Sequence, residues 1–357
     1  MLGAYDYAGG VSQGENVAAA IHVGPVNTSA WGDSFQSNLD AKKSYFMFDN
    51  EIVCMGNSIY CTDGTEVITV IDNRTAYAGD KLRINDTVTT LDANTEIQRN
   101  NVTSAYFTSM GGYYFPDGNT KTLKINKAVG ADTWTFYELW YSHGVNPTDD
   151  TYSYVMLPTA TPEETVQYSE DPDITIIRND RNVQAVSDRS TGSTGYIFWK
   201  GDTCGNVTAS TKCSAMVTDD GSKFTISLSD PNQTASSVTL TVTDVPAGCR
   251  LVSKDQGVTV TKNGTTITFT ADTQNAQGKS FTAEFEQDVD YGDLNSDGYV
   301  NATDALIALQ ISCGKRASSA EYLSVGDVDG NGVINTTDAL LIVRYGVGLI
   351  DKFPIEN

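Results

Sequence analysis

The sequence contains few positively charged residues and almost no histidine. It carries 23 Lys and Arg against 45 Asp and Glu, a formal net charge of −22, and only two His among 357 residues. Such a negative surface repels nucleic acids and anionic membranes, so we expect neither as a partner. Because the six cysteines include no C-x-x-C pair, the composition also argues against a zinc site.

Two further absences concern membranes and targeting. The sequence has no apolar run of about 18 residues, the length that a membrane-spanning helix needs. Its first residues, MLGAYDYAGG, lack the basic and apolar segments of a signal peptide.

Residues 5 to 200 show no helical period, and short aromatic-rich runs recur between turn sequences such as Asp63-Gly64 and Asn146-Pro147. Residues 201–287 are richer in Ser and Thr, and runs such as KFTISLS alternate with a period of two. We therefore predict a mainly β chain, with a large antiparallel sandwich over 1–200 and a smaller β-sandwich over 201–287.

A twelve-residue pattern occurs twice near the end of the chain, as DLNSDGYVNATD from Asp293 and DVDGNGVINTTD from Asp327. Ca²⁺ takes about six to eight oxygen ligands, and a loop of this length supplies them from positions 1, 3, 5, 7, 9 and 12, with glycine at position 6. Gly298 and Gly332 occupy position 6. The alternative, two Asx- and Gly-rich turns, does not explain why an apolar run follows both copies.

The two loops predict two Ca²⁺ ions. The predicted ligands, with Tyr299 and Val333 acting through their carbonyls, are Asp293, Asn295, Asp297, Tyr299, Asn301, Asp304, Asp327, Asp329, Asn331, Val333, Asn335 and Asp338.

Each loop leads into an apolar run that predicts a short helix, ended by Gly314 in the first copy and Gly346 in the second. The segments before the loops are too short for helices. This pattern over Asp288 to Ile350 resembles the type I dockerin domain, which we place at residues 288–357.

The dockerin resemblance implies a cohesin module as partner and an extracellular, cellulosome-type complex as location. In that family, loop positions 10 and 11 and the following helix contact the cohesin. The matching residues here are Ala302, Thr303, Thr336, Thr337 and Arg344. The alternative for the threonines is that they only cap their helices.

Several stretches before the repeat carry a second resemblance. AKKSYFMFDNEIVCMGNSI from Ala41 and VIDNR from Val70 resemble the central sheet domain of polysaccharide lyase family 8, which includes hyaluronate, chondroitin AC and xanthan lyases. Residues 140–186, which begin WYSHGVNPTDD, resemble its later strands, and YAGGVSQGENVAAA near the start also fits. Over residues 5–285, the resemblance implies a β super-sandwich followed by the smaller sandwich.

This family implies β-elimination of a polysaccharide that contains uronic acid. In the family an Asn neutralises the sugar carboxylate, a Tyr or His takes the proton from C5 of the sugar, and a Tyr protonates the leaving oxygen. Those residues lie on an N-terminal helical toroid. This sequence has no such helical region. We therefore assign no catalytic residue, and we expect that the natural N-terminus, with a signal peptide and the toroid, precedes Met1.

Local candidates for chemistry have structural alternatives that we prefer. His143 stands near Tyr141 and Asn146, but the adjacent Gly144 indicates a turn in which the imidazole bonds locally. His22 lies on an apolar run and is predicted to be a satisfied core residue.

Two other pairs of residues remain to be placed. Glu163 and Glu164 follow Thr161-Pro162, which we interpret as a loop, so we expect a solvated pair rather than a catalytic one. Cys204 and Cys213 flank a turn and either form a disulfide or stay as free buried thiols.

Three function classes stay open at this point. The chain is a scaffold-docking part of a polysaccharide lyase that is inert alone, a non-catalytic carbohydrate-binding protein, or an enzyme with its site on the sandwich face. We prefer the first.

Overall fold

The computed structural model describes residues 7–28, 35–77, 79–108, 110–116, 121–129, 134–246, 249–287, 290–295 and 297–356. The chain divides into two compact units. Unit 1 comprises Met1–Val245 and Leu251–Phe285, and unit 2 comprises Pro246–Arg250 and Glu286–Asn357. The predicted start of the third domain, Asp288, lies outside the described residues. The prediction of a mainly β chain with small helices near its end is confirmed.

Fifteen strands and one helix lie in the described residues up to Glu170. They are β1 (Ala8–Gln13), β2 (Asn16–Val23), β3 (Val26–Thr28), β4 (Phe35–Ser37), β5 (Asp40–Phe48), β6 (Glu51–Tyr60), β7 (Glu66–Ala76), β8 (Leu82–Ile84), β9 (Thr87–Thr89), β10 (Thr95–Arg99), β11 (Ser104–Phe107), β12 (Gly111–Tyr114), β13 (Leu123–Val129), β14 (Thr135–Val145), β15 (Asp150–Leu157) and α1 (Pro162–Glu170).

In the part of the chain after Glu170 that the structure describes, twelve strands and four helical segments follow. They are β16 (Ile174–Asn179), β17 (Val183–Asp188), β18 (Ser193–Phe198), β19 (Asp202–Cys204), β20 (Val207–Ala209), β21 (Cys213–Asp219), β22 (Lys223–Ser229), β23 (Ser237–Val242), β24 (Cys249–Lys254), β25 (Val258–Asn263), β26 (Thr266–Asp272), β27 (Phe281–Gln287), α2 (Ala302–Ser312), α3 (Ala320–Gly326), α4 (Thr336–Gly346) and a 3₁₀ turn (Pro354–Glu356).

The strands form four main sheets and one small ribbon, β3-β4. The sheets have the orders β1-β2-β5-β6-β15-β12-β11-β8-β9, β10-β13-β14-β7, β16-β17-β18-β21-β22-β27-β24, and β19-β20-β23-β26-β25. Neighbouring strands pair antiparallel throughout the four-stranded sheet. This arrangement agrees with the predicted super-sandwich.

The nine-stranded sheet is covered on both faces. One apolar cluster joins its Ile59 and Phe107 to Ile125 and Leu139 of the four-stranded sheet. A second cluster joins its Phe46 to strands of the seven-stranded sheet. Strands covered on both faces do not alternate between buried and exposed residues. Strand β6 is accordingly buried along most of its length.

Helix α1 corrects the expectation that residues 5–200 are β throughout. Thr161 Oγ1 accepts a hydrogen bond from Glu164 N (3.2 Å), and Glu164 Oε2 accepts one from Thr161 N (2.7 Å). Pro162 occupies the first helical turn. The stretch interpreted as a loop is therefore a capping box that begins a helix. Glu163 and Glu164 are exposed, as predicted for a solvated pair.

Unit 2 is built around the two helices that follow the loops. Apolar residues of α2 and α4, among them Ile307 and Ile342, form one cluster with Phe353. The Phe353 ring stacks on Tyr345 with centroids 4.6 Å apart. It also packs over Gly292, whose φ is +89°, and a Cβ there would lie 2.8 Å from the Phe353 ring. The described helices of the chain are too short or too polar to cross a bilayer.

One expectation about the helices is wrong. A helix, α3, does precede the second loop, and its N-cap residue Ser319 accepts a hydrogen bond from Tyr322 N. Gly346 is the last residue of α4, as predicted. A Cβ there would come 2.9 Å from Val300 O, and the left-handed glycine that follows the helix is Gly348, with φ +70°. Gly314, also at φ +70°, follows α2 as expected.

Candidate functional site

The second twelve-residue loop brings three carboxylates together. Oxygens of Asp327, Asp329 and Asp338 lie within 4.8 Å of one another. Asp338 is fully buried and Asp327 is 7% exposed. In the described part of the chain no Lys or Arg forms an ion pair with them. Buried carboxylates that share a site without a counter-charge are unstable unless a cation binds, so the residues present fit Ca²⁺.

The backbone holds these carboxylates in place. Asp327 accepts hydrogen bonds from Asn331 N and Gly332 N, and Asp338 accepts from Asp329 N and Asn335 N. Burial raises the pKa of Asp338, and the charges of Asp329 and Asp327 add to that effect, while the hydrogen bonds to its carboxylate lower it. A bound cation would offset the repulsion between these carboxylates, which contributes to the raised pKa of Asp338.

The first loop has similar backbone hydrogen bonds to its first and last carboxylates, but its carboxylates do not converge as closely. Asp293 accepts from Gly298 N, and Asp304 accepts from Leu294 N and Asn301 N. Its middle carboxylate, Asp297, is instead bound by the Asn295 side-chain amide at 2.9 Å. Among the described residues, only the three carboxylates of the second loop converge within 4.8 Å.

Asparagine, rather than threonine, caps both helices. Asn301 Oδ1 accepts from Thr303 N at 2.8 Å, and Asn335 Oδ1 accepts from Thr337 N at 2.6 Å. Asp304 and Asp338 complete each capping box. The alternative in which the threonines act as caps is therefore wrong.

The predicted partner residues share the exposed side of their helices. Ala302, Thr303, Thr336, Thr337 and Arg344 are all exposed. One turn further along, Leu306 is 54% exposed and Leu340 is 59% exposed at the equivalent position of the other copy. Residues spaced three and four apart lie on one helix face, so each copy presents small polar residues followed by a leucine.

Unit 1 contains a buried hydrogen-bonded chain around His143. Its Nε2 lies 2.8 Å from Thr69 Oγ1, and its Nδ1 lies 2.7 Å from Asp150 Oδ2. Lys121 Nζ is 2.5 Å from the other Asp150 oxygen. Because the Asp150 carboxylate can only accept, Nδ1 carries a proton.

The side chain of His143 is fully buried, so it cannot meet a polysaccharide. His143 lies in β14 rather than in the expected turn, which begins later at Asn146. This position agrees with the preferred structural role of His143. The residues that bond to its ring, Thr69 and Asp150, come from other strands and not from a local turn. His22 also has a partner, Asp40, at 2.9 Å. All six cysteines are free, so Cys204 and Cys213 are not joined.

Sequence reasoning missed a buried acid in unit 1. Glu51, at the start of β6, is 6% exposed and borders a cavity of about 320 Å³ that Tyr168, Asp173 and Glu164 also line. Burial raises the pKa of Glu51 to about 8, and neighbouring Asp188 acts in the same direction. Its Oε1 has no hydrogen-bond partner within the part of the chain that is described. Nothing in the local sequence FDNEIV distinguishes it from a surface acid.

Comparison with family models divides the chain into three matches. Residues 2–169 match the polysaccharide lyase family 8 super-sandwich domain, and residues 175–239 match the C-terminal β-sandwich domain of the same family. Residues 291–345 match the dockerin type I domain.

Characterised relatives agree with the lyase matches. A xanthan lyase of Bacillus sp. (strain GL1) is 35% identical over 274 residues, which cover 70% of this chain and 29% of the relative. A hyaluronate lyase of Thermasporomyces composti is 29% identical, covering 72% of this chain and 34% of the relative. The chain thus spans about a third of the length of these relatives.

Solved structures show the same fold. The structure of Paenibacillus xanthan lyase superposes with a TM-score of 0.70 at 30% identity, covering 79% of this chain and 28% of that chain. A Streptomyces coelicolor chondroitin AC lyase gives a TM-score of 0.63 at 24% identity, covering 79% of this chain and 36% of that one, and supports the fold alone.

Proposed function

The chain carries the super-sandwich and C-terminal β-sandwich domains of polysaccharide lyase family 8 followed by a type I dockerin domain, and we propose that it docks a secreted polysaccharide lyase to a cohesin-bearing scaffold. The observation that carries the proposal is the convergence of Asp327, Asp329 and Asp338 in a loop that leads into an exposed helix face. The location is then an extracellular, cellulosome-type complex.

The proposed site holds two Ca²⁺ ions, one in each loop. The first ion would take Asp293, Asn295, Asp297, Asn301, Asp304 and the Tyr299 carbonyl, and the second Asp327, Asp329, Asn331, Asn335, Asp338 and the Val333 carbonyl. Bound Ca²⁺ supplies positive charge at a cluster of buried carboxylates. The last ligand of each loop is also the capping-box acid of the following helix, so ion binding fixes the helix start.

The proposed cohesin surface consists of Ala302, Thr303, Thr336, Thr337 and Arg344. Small side chains at the start of a rigid helix let a partner's sheet approach closely, and threonine hydroxyls add hydrogen bonds at little entropic cost. The second copy has two threonines where the first has Ala302 and Thr303, and it has Arg344 where the first has Gln310. We therefore expect the second helix to contribute more to binding.

In this proposal the three domains are the super-sandwich over 1–200, the small sandwich over 201–287 and the dockerin over 288–357. The lyase that they serve cleaves a polysaccharide containing uronic acid by β-elimination. The β-domains themselves supply no catalytic residue. Support comes from His143, whose side chain is fully buried and bonded to Thr69 and Asp150.

A second candidate is that the chain acts as a non-catalytic carbohydrate-binding protein in the same complex. The exposed position of apolar residues on the four-stranded sheet favours it, with Val70 51% and Ile68 46% exposed.

Two assays test the proposal with the chain as it is. Binding to immobilised cohesin modules should require Ca²⁺ and should be lost in excess chelator. Incubation with hyaluronan, chondroitin or xanthan should give no increase in the absorbance of unsaturated uronate. Turnover that disappears in His143→Ala would instead favour an enzyme with its site on the sandwich.

A further inference from the structure

The four-stranded sheet of unit 1 has two chemically different faces. Along β14, Tyr137, Leu139 and Tyr141 are buried in the cluster shared with the nine-stranded sheet. The alternate residues Glu138 and Trp140 point the other way and are partly exposed. We call this second side the outer face of the sheet.

Trp140 lies at the centre of a row of side chains that crosses all four strands. Its register partners are Val70 on β7 and Lys124 on β13, and Lys124 in turn pairs with Gln98 on β10. With strands about 4.8 Å apart, the row is roughly 14 Å long. Val70 and the neighbouring Ile68 are 51% and 46% exposed, so the indole lies beside an apolar patch.

The next row is polar and held in place by its own hydrogen bonds. Glu138 accepts from the Asn126 side-chain amide at 2.9 Å and from the Asn73 amide at 3.4 Å. These residues are cross-strand neighbours in the register of the sheet. A fixed carboxylate between two amides offers both donors and acceptors to a ligand without further ordering of side chains.

The charge of this face selects among ligands. Lys124 Nζ lies 3.1 Å from Glu66 and 3.9 Å from Glu96, so its charge is already balanced. Together with Glu138 the face carries three acids and one base, and its net charge is negative. A polyanion such as a uronate-rich chain is repelled, whereas a ligand with many neutral hydroxyl groups is not.

From this arrangement we propose that the outer face of the four-stranded sheet binds a neutral glycan chain. The apolar C–H face of one sugar ring stacks on Trp140, and its hydroxyl groups bond to Glu138, Asn73 and Asn126. A row about 14 Å long accommodates two to three rings. The site is separate from the cohesin surface, and it adds a second polysaccharide class to the acidic one proposed for the lyase.

A protein partner fits this face less well. The centres of protein interfaces are depleted in charged residues, whereas here an ionic network borders the aromatic residue.

The test measures binding of neutral hexasaccharides of glucose, mannose and xylose to the full chain by isothermal titration calorimetry, with a hyaluronan hexasaccharide as the acidic comparison. At least one neutral ligand should bind, and the acidic ligand should not. Trp140→Ala should weaken the binding at least tenfold, while Tyr60→Ala, which removes an exposed aromatic residue from a different sheet, should leave it unchanged.

Glu138→Ala supplies a second, smaller change on the same face and should also weaken binding at least tenfold. Thermal unfolding and cohesin binding of every variant show whether the chain is still folded. If no neutral hexasaccharide binds, if folded Trp140→Ala and Glu138→Ala bind like the unaltered chain, or if the acidic ligand binds equally well, the proposal is wrong.

Discussion

Asp338, in the first turn of α4, and Asp327, at the start of the preceding loop, hold carboxylate oxygens within 4.8 Å of each other although both side chains are nearly buried. The two residues thus join the first and last positions of the loop. Their mutual repulsion opposes folding of unit 2, and a cation between them would remove it. We therefore expect both the structure of unit 2 and the proposed cohesin binding to be coupled to Ca²⁺.

The first prediction concerns this coupling. Adding Ca²⁺ to the chelated chain should increase its helical circular dichroism and raise the temperature at which unit 2 unfolds. Asp338→Asn should lower the apparent Ca²⁺ affinity of the second loop at least tenfold, because it removes a charged ligand of the proposed site that also completes the capping box of α4. Asp351→Asn, a nearby acid outside both loops, serves as the control. Identical spectra with and without chelator would contradict the coupling.

The second prediction locates the partner surface. Thr336→Asp combined with Thr337→Asp should weaken cohesin binding by at least about 1.4 kcal/mol, a tenfold change. The substitutions place two charges on exposed positions, so the Ca²⁺-dependent fold should be unaffected. The matched pair Ala302→Asp with Thr303→Asp should weaken cohesin binding less. Surface plasmon resonance compares them, and equal losses for both pairs would argue against a dominant second helix.

The third prediction follows from the buried acid in unit 1. Burial raises the pKa of Glu51 from 4.5 to about 8, so the folded state holds a proton that the unfolded state releases. The stabilising contribution is fully present below pH 4.5 and is lost as the pH rises through 8. Glu51→Gln should raise the melting temperature of unit 1 by about 2 °C or more at pH 9.

At pH 5 the same substitution should have little effect. Glu163→Gln, on the exposed side of α1, is the matched control and should not change the melting temperature at either pH. A Glu51→Gln variant that is less stable than the unaltered chain at pH 9 would show that the carboxylate is needed in its charged form.

The fourth prediction concerns an acid whose pKa is lowered, so its effect on stability has the opposite pH dependence. Burial tends to raise the pKa of Asp150, but hydrogen bonds from His143 and Lys121 outweigh it and lower the pKa below the usual 3.8. The stabilisation is therefore present above pH 3.8 and is lost as the pH falls further. Asp150→Asn should lower the melting temperature of unit 1 at pH 7 by roughly 3–10 °C, since a charged hydrogen bond contributes about 1.5–3 kcal/mol.

Below pH 3 the difference in melting temperature between Asp150→Asn and the unaltered chain should become smaller. Thermal unfolding across this range tests it, with the exposed ion-pair variant Asp149→Asn as control. A constant difference at every pH would mean that the Asp150 charge does not contribute.

The sequence predicted those features whose residues are contiguous. The two twelve-residue loops are of this kind, because the spacing of their Asp and Asn residues and the position of Gly298 or Gly332 are set by one short segment, whereas Ca²⁺ binding by them stays a prediction. The β character of residues 5–200 also follows from local runs. Helix α1 is also predictable in principle, since Thr161, Pro162 and Glu164 form a capping-box pattern in one short segment.

Other features depend on strand pairing and were not predictable. His143 meets Thr69 only because β14 pairs with β7, and the register of that pair contains two irregularities. Glu51 becomes a buried acid only because β6 lies in a sheet covered on both faces. Both Gly346 and Gly348 match the stop signal of α4, and only the left-handed φ of Gly348 and the packing of Gly346 against Val300 distinguish their roles.

The central claim is that this chain docks a lyase to a cohesin through a Ca²⁺-dependent dockerin. The most direct measurement is calorimetric titration of the full chain with a panel of type I cohesin modules, once in Ca²⁺ and once in excess chelator. We predict saturable one-to-one binding to at least one module in Ca²⁺ and none in chelator. Equal binding under both conditions, or no binding to any module in Ca²⁺, would contradict the account.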